Sequence, residues 1–392
     1  MIVERPSLER RVLASLDAQR IPVVLGGCGS GRTSLLLRLE SLIGRERAQY
    51  FDMAAAATTP ERCLAAIRSA TRFRTPQRPQ TAEGSARTAV DAFFDDLDHG
   101  RAADNGAATF LFDEFLDVRT FESFPGLRHV QREFVTRLAA SPSRFVLASR
   151  FTARVHRLLR DAPPRFEVVH VAPLDASEVQ AMAGLYDGGR RDWAAPFAPT
   201  IAALGGGRAG PTNLLLASVA SMGPAIDPVA ALASLFAPDG ALTARCRECY
   251  EFRLHRARGY GALKAILGVL AEQEPLNLTE IAQRLRRTPG STKDYLSWLE
   301  DVDLITMQGK RYTYDDPLLR LYVRLYGHPQ PPTDDEIVRE VGGYARTRLP
   351  QSKDAAATVA TTTPHSPAPA AVGAANDAGG DTERESGIIE ID

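Results

Sequence analysis

One stretch near the N-terminus limits what this chain can fold into. The apolar run Ile21–Leu25 passes directly into Gly26-Gly27-Cys28-Gly29-Ser30-Gly31-Arg32-Thr33-Ser34 and then into Leu35-Leu36-Leu37. A short apolar run bounded by glycine reads as a buried strand, and leucines at 35, 36, 39 and 42 recur as the broad buried stripe of a helix. Gly26, Gly31 and Thr33 match the spacing G-x-x-x-x-G-K-[ST], with Arg32 where lysine is expected. In that pattern the glycines let successive backbone N–H groups curl around a triphosphate, the cation reaches the outer phosphates and the hydroxyl holds Mg²⁺. The start of the following helix adds unpaired N–H groups and a favourable dipole for an anion. Gly26 to Ser34 are therefore the candidate nucleotide-binding residues.

The chain beyond the loop supplies the sheet such a loop needs. Apolar strands are expected at Ala48–Asp52, 109–114, 144–148 and 166–171, separated by helical patterns such as 86–97 and 127–139, with an opening helix at 8–18. Strands alternating with helices indicate a doubly wound parallel α/β sheet with helices on both faces. The run Thr109-Phe110-Leu111-Phe112 closes on Asp113-Glu114, so two carboxylates meet the ligand edge of the sheet. Asp113 and Thr33 are the expected Mg²⁺ residues, and Glu114 the expected catalytic base that orients and deprotonates the attacking water. Arginine is planar and longer than lysine, so at position 32 it is expected to keep nucleotide binding while slowing turnover. Ser149 and Arg150 end the next strand, where Arg150 is positioned to sense the γ-phosphate. Arg154, Arg157 and Arg160 follow at helical spacing, either as a solvated face or with one of them acting as a finger on a neighbouring subunit.

After Pro173 the pattern becomes helical with Gly/Pro punctuation. Asp175 is a candidate helix cap, and Gly205-Gly206-Gly207 and Gly210-Pro211 open a helix over 212–221. From about 245 a third unit reads as helices 262–271, 278–285 and 291–300 followed by the hairpin Leu304-Ile305-Thr306 and Tyr312-Thr313-Tyr314, which together make a winged helix. The expected domains are 1–172, 173–244 and 245–328, with 329–392 a largely disordered tail. Residues 352–384 are rich in Ala, Thr, Pro and Gly, and the chain ends in the acidic-apolar tag 387–392. Residues 73–84 read as an exposed loop.

Composition excludes several classes. A net charge of -1 argues against a generally basic nucleic-acid binder. Charge begins at the fourth residue, unlike a secretory leader, and no apolar run approaches the roughly 20 residues of a membrane span. The 4 cysteines are scattered, which points to a reducing cytoplasm rather than a disulfide framework. Cys246 and Cys249 have the spacing of half a zinc site, with His255 near, but a closed site needs four ligands, so both read as helix-packing residues. Cys28 lies in the phosphate loop, a setting that lowers thiol pKa.

The motifs GGCGSGRTS, TFLFDEF, VLASR, APLDASEV, GGGRAGPTNLLL and YDDPLLRLYVRLY together resemble those of P-loop ATPases of the AAA+/STAND branch. Within it the chain is most similar to the archaeal-type and origin-recognition-like ATPases with a C-terminal winged helix, over about residues 1–327. The resemblance implies an α/β P-loop NTPase domain, a helical lid whose Gly210-Pro211 packs near the nucleotide, ATP and Mg²⁺ as ligands, and a switch between sheet, lid and winged helix. In that group an arginine often follows the proline and senses the γ-phosphate. Here Thr212 stands there, with Arg208 before the proline. The expected function is an ATP-binding, slowly hydrolysing switch that positions the winged helix for a protein partner or for self-association. The alternatives are a non-hydrolysing nucleotide-bound scaffold and an ATP-regulated DNA-binding protein. Against DNA, the third helix has Lys293 as its only cation beside Asp294, Glu300, Asp301 and Asp303. For it stand Arg286, Arg287, Lys310 and Arg311.

Overall fold

The computed structural model describes residues 4–74, 85–186, 194–222, 227–254, 257 and 259–350. The segments 75–84 and 351–392 lie outside them, so the exposed loop expected within 73–84, the tail and its final tag are not described, and neither is His255.

Five parallel strands, β1 (Ile21–Leu25), β2 (Ala48–Asp52), β3 (Thr109–Asp113), β4 (Arg144–Ser149) and β5 (Phe166–His170), form one sheet in the order β2-β3-β4-β1-β5. The strand bearing the glycine loop is thus flanked by β4 and β5, and register pairs Leu25 with Ser149 and Asp52 with Asp113. Alternate residues of each strand face opposite layers. Val24, Leu111, Val146 and Val169 meet Leu8, Val12 and Leu16 of helix Pro6–Asp17 and Leu35, Leu36 and Leu39 of helix Arg32–Ile43. Val23, Leu25, Phe110, Phe112, Phe145 and Leu147 face the other layer, where Phe110 stacks on Phe145 at 5.8 Å and on Phe112 at 6.0 Å. Helices Ala86–His99 and Val130–Ala140 bury Phe93, Phe94 and Phe134 against that aromatic layer.

Beyond β5 the chain is helical through Ala176–Ala183, Ala198–Leu204, Ala209–Met222, Pro228–Leu235 and Ala241–Leu254. Asp175 caps the first of these in a reciprocal box with Glu178. The boundary expected between 244 and 245 falls inside the continuous helix Ala241–Leu254, which carries the chain from one helical group to the next. Then come helix Tyr260–Glu272, β6 (Leu276–Asn277), helices Leu278–Arg284 and Pro289–Asp301, and the hairpin β7 (Ile305–Gln308) and β8 (Arg311–Tyr314). The strands form an antiparallel sheet in the order β6-β8-β7. Gln308 pairs with Arg311, and Gly309 and Lys310 between them both take positive φ, as a tight two-residue hairpin turn requires.

Two further helices, Pro317–Tyr326 and Asp334–Arg348, follow. The second corrects the expectation that order ends near 328. Thr333 and Glu336 cap it reciprocally, and Ile337, Val341 and Ala345 bury one stripe. Its three leading acids and the Gly342-Gly343 pair mask that stripe in the sequence.

Candidate functional site

The glycine loop follows β1 and ends at helix Arg32–Ile43. Gly29 and Gly31 hold φ of 79° and 98°, a left-handed conformation that side-chain-bearing residues rarely adopt. The loop closes one side of a cavity of about 220 Å³ lined by Gly29, Ser30, Gly31, Arg32, Thr33, Ser34, Ala209, Gly210, Asn213 and Arg245. Gly210 N donates to Gly29 O at 2.8 Å, so the glycine–proline element rests directly on the loop. Pro211 is buried beside it, next to Cys28 and Cys249.

At the far end of the loop Thr33 Oγ1 donates to Asp113 Oδ2 at 2.5 Å, and Tyr50 Oη reaches the same carboxylate oxygen at 3.3 Å. Burial raises the Asp113 pKa, opposed by the Thr33 hydrogen bond. Among the described residues no group of three or more His, Cys, Asp or Glu side chains is placed to hold a metal. A hydroxyl beside one carboxylate nevertheless suits Mg²⁺, which keeps several waters and takes its other ligands from phosphates. The donor set at Thr33 and Asp113 fits that ion.

Arg32 does something its sequence position does not announce. Its guanidinium turns back beneath the loop, donating to Gly26 O and, at 2.8 Å, to Gly27 O, while Nη2 donates to Glu114 Oε1 at 2.7 Å. Both partners of this ion pair are only 8% exposed. Glu114 is clasped from a second side by Arg150, whose Nε lies 2.9 Å from the same oxygen and whose backbone N donates to Oε2. Glu114 itself sits at φ 50°, a conformation costly for a non-glycine residue and often found where a carboxylate must be aimed. The guanidinium of Arg150 also lies 4.6 Å from the centre of the Phe252 ring.

Thr212 is fully buried, and a Cβ on Gly205 would fall 2.5 Å from its Oγ1. It is a packing residue of the helix Ala209–Met222. Arg208 pairs with Asp316 and Asp315 near the start of helix Pro317–Tyr326 and touches Cys28 O. Arg157 donates to Asp301 at 3.0 Å, and Asp303 caps the helix Thr152–Leu159 by accepting from Thr152 N and Ala153 N. The acids at the end of helix Pro289–Asp301 are thus engaged within the chain. Arg287 lies over Tyr295, and Arg311 lies 3.5 Å from Glu280.

One cysteine expectation is corrected. Cys28 of the loop is bonded to Cys249 of helix Ala241–Leu254, across a separation of 221 residues, with Cα atoms 6.7 Å apart. The scattered cysteines hid this pairing because only the fold brings that helix onto the loop. Cys246 is a buried free thiol, as expected of a packing residue. Tyr50 and Arg245 carry no signal in the sequence, and Asp315 and Asp316, though inside the motif YDDPLLRLYVRLY, show their pairing with Arg208 only in the fold. Arg245 belongs to no motif, and only its place on a helix four residues before Cys249 connects it to the loop.

The structure is similar to the Walker-type ATPase PABY2304 of Pyrococcus abyssi, with a TM-score of 0.62 and 17% identity over 82% of this chain and 96% of that one. Weaker matches include the Aeropyrum pernix ORC1 protein in complex with DNA (TM-score 0.41, 15% identity, 88% and 95% covered) and a single-residue variant of Thermotoga maritima RuvB (0.37, 11%, 84% and 96%). No family model matches the sequence, and no curated protein matches it either. The chain shares the fold of that Walker-type ATPase, a parallel five-stranded sheet flanked by helices of the P-loop NTPase kind. Among the described residues no helix is long and apolar enough to cross a membrane.

Proposed function

We propose that this protein is an ATP-binding switch of the AAA+/STAND kind, in which MgATP sits in the cavity on the glycine loop. The observation that carries the reading is the continuity of that cavity from Gly29 to Ser34 with the Thr33–Asp113 pair at its end. Nucleotide phosphates would lie against the loop, Mg²⁺ on Thr33 and Asp113, and Gly210-Pro211 would move with the ligand. The winged-helix module, from helix Tyr260–Glu272 through helix Pro317–Tyr326, is the responding part, joined to the site through Arg208, Asp303 and helix Ala241–Leu254. Its acidic third helix favours a protein partner or self-association over DNA. An ATP-dependent switch would work in the cytoplasm, where the Cys28–Cys249 bond would be an exception to the usual reduced state of thiols.

Hydrolysis requires Glu114 to leave Arg32 and Arg150 and engage water, so turnover is slow. A second reading, a protein that holds ATP without hydrolysing it, draws on the same Arg32–Glu114 contact. Calorimetric titration with MgATP, followed by single-turnover phosphate release, separates these outcomes. Binding with slow release by the wild type, abolished in Glu114→Gln, supports the switch. Binding with equal inertness of both proteins selects the non-hydrolysing form, and absence of binding overturns the proposal.

A further inference from the structure

We propose that Arg245 is the cation that grips the polyphosphate of the bound nucleotide, and that through it helix Ala241–Leu254 registers whether the glycine loop is filled. The inference rests on the nucleotide-binding reading and assigns a residue that no motif marks. It starts from a shortage of available charge. Four arginines surround the loop, and three are already paired with carboxylates: Arg32 and Arg150 with Glu114, and Arg208 with Asp315 and Asp316. Any of them would have to abandon a buried or half-buried partner to reach a phosphate, leaving that carboxylate uncompensated. Arg245 makes no ion pair with the described residues, is half-buried, and lines the cavity itself.

Its placement is tight. A Cβ on Gly210 would lie 2.5 Å from Arg245 Nη2, and one on Gly29 would lie 2.9 Å from the same atom. The absence of side chains at both positions therefore leaves room for a guanidinium between the glycine loop and the glycine–proline element. Its planar fork of N–H donors suits phosphate oxygens, to which it can bind bidentately. Thr212, at the position after the proline, is buried under Gly205 and does not open onto the cavity.

The same helix makes the grip consequential. Four residues beyond Arg245, Cys249 is bonded to Cys28 of the loop, and the helix ends shortly before helix Tyr260–Glu272 of the C-terminal module. A phosphate drawn against Arg245 therefore acts on the element that connects the loop to that module.

Isothermal titration of MgATP into the wild type, Arg245→Ala, Arg245→Gln and Arg245→Lys tests this, with melting temperatures measured in parallel. Removing one charge-assisted contact is expected to weaken MgATP about ten- to one-hundred-fold in Ala and Gln. Lysine, which keeps the charge and loses the bidentate fork, should fall between wild type and the neutral variants, and melting temperatures should stay close to wild type because the residue leaves no partner behind. Wild-type affinity in both neutral variants overturns the assignment while leaving nucleotide binding intact. A wild type that binds no MgATP overturns the functional reading instead.

Discussion

At the scale of single residues, Arg32 explains itself once its neighbours are named. Lysine has one nitrogen on a flexible stem. The guanidinium has a fork that serves Gly26 O, Gly27 O and Glu114 at once. Position 32 therefore stabilises the loop by tying its first turn to the Glu114 carboxylate. Glu114 sits between two guanidiniums, so neutralising it leaves two like charges in contact, which is worse than losing the pair as a whole. A double-mutant cycle of Arg32→Met and Glu114→Gln, followed by urea unfolding, should give a coupling of about 1–3 kcal/mol. The Glu114 change should cost more beside Arg32 than beside methionine. Additive effects would mean that the pair does not form in solution. The convergence of Thr33, Asp113 and Glu114 on the glycine loop was legible in the sequence, because a glycine loop after one strand and an acid pair ending another meet at the same sheet edge. The direction in which Arg32 points was not, since a motif records reach and says nothing of which acceptor is nearer.

At the scale of elements, the five strands and the hairpin were legible because apolar runs and period-two alternation are local signals. The helix Ala241–Leu254 was legible only around Cys246 and Cys249, and its extent was not, because its buried face mixes Leu242, Thr243, Cys246, Tyr250 and Arg253 rather than a clean apolar stripe. The junction between the helix Thr152–Leu159 and the turn after Pro289–Asp301 is equally invisible without the fold. There Asp303 accepts from two N–H groups at a helix start, and Arg253, Arg154 and Asp315 act on it electrostatically. Burial outweighs the helpful N–H groups and Arg253, and pushes its pKa up to about 6. The folded chain thus holds this proton at pH values where the unfolded chain, with a pKa of about 4, has released it. Stability from this group is complete below the unfolded value and is lost as pH rises through about 6. Comparing unfolding free energies of wild type and Asp303→Asn from about pH 7 down to 4 should show the wild type gaining on the variant, by up to about 2–3 kcal/mol. A difference independent of pH would place the Asp303 carboxyl in water.

At the scale of the whole molecule, the Cys28–Cys249 bond is the feature furthest from anything local. It joins the first loop of the sheet to a helix 221 residues later, with the remaining strands and the first helical group enclosed between them. Sequence spacing carries no information about such a pairing, because it exists only after the helix has been packed on the loop. Closing so long a segment removes much of the freedom of the unfolded chain, on the order of 5 kcal/mol at the upper end of the entropic scaling. The bond also holds Arg245 against Gly29, because both ends of the link lie within about one turn of those residues. Two consequences are measurable. Thiol titration of the denatured, unreduced protein should find only Cys63 and Cys246, with all 4 cysteines reacting after reductant. Reductant should lower the melting temperature of the wild type, and Cys249→Ser should melt like the reduced protein and ignore reductant. If all cysteines react before reduction, the link is absent in solution and the helix rests on the loop through packing and Arg245 alone. In that case Cys249→Ser should leave both melting temperature and MgATP affinity unchanged, whereas a formed bond makes both fall together.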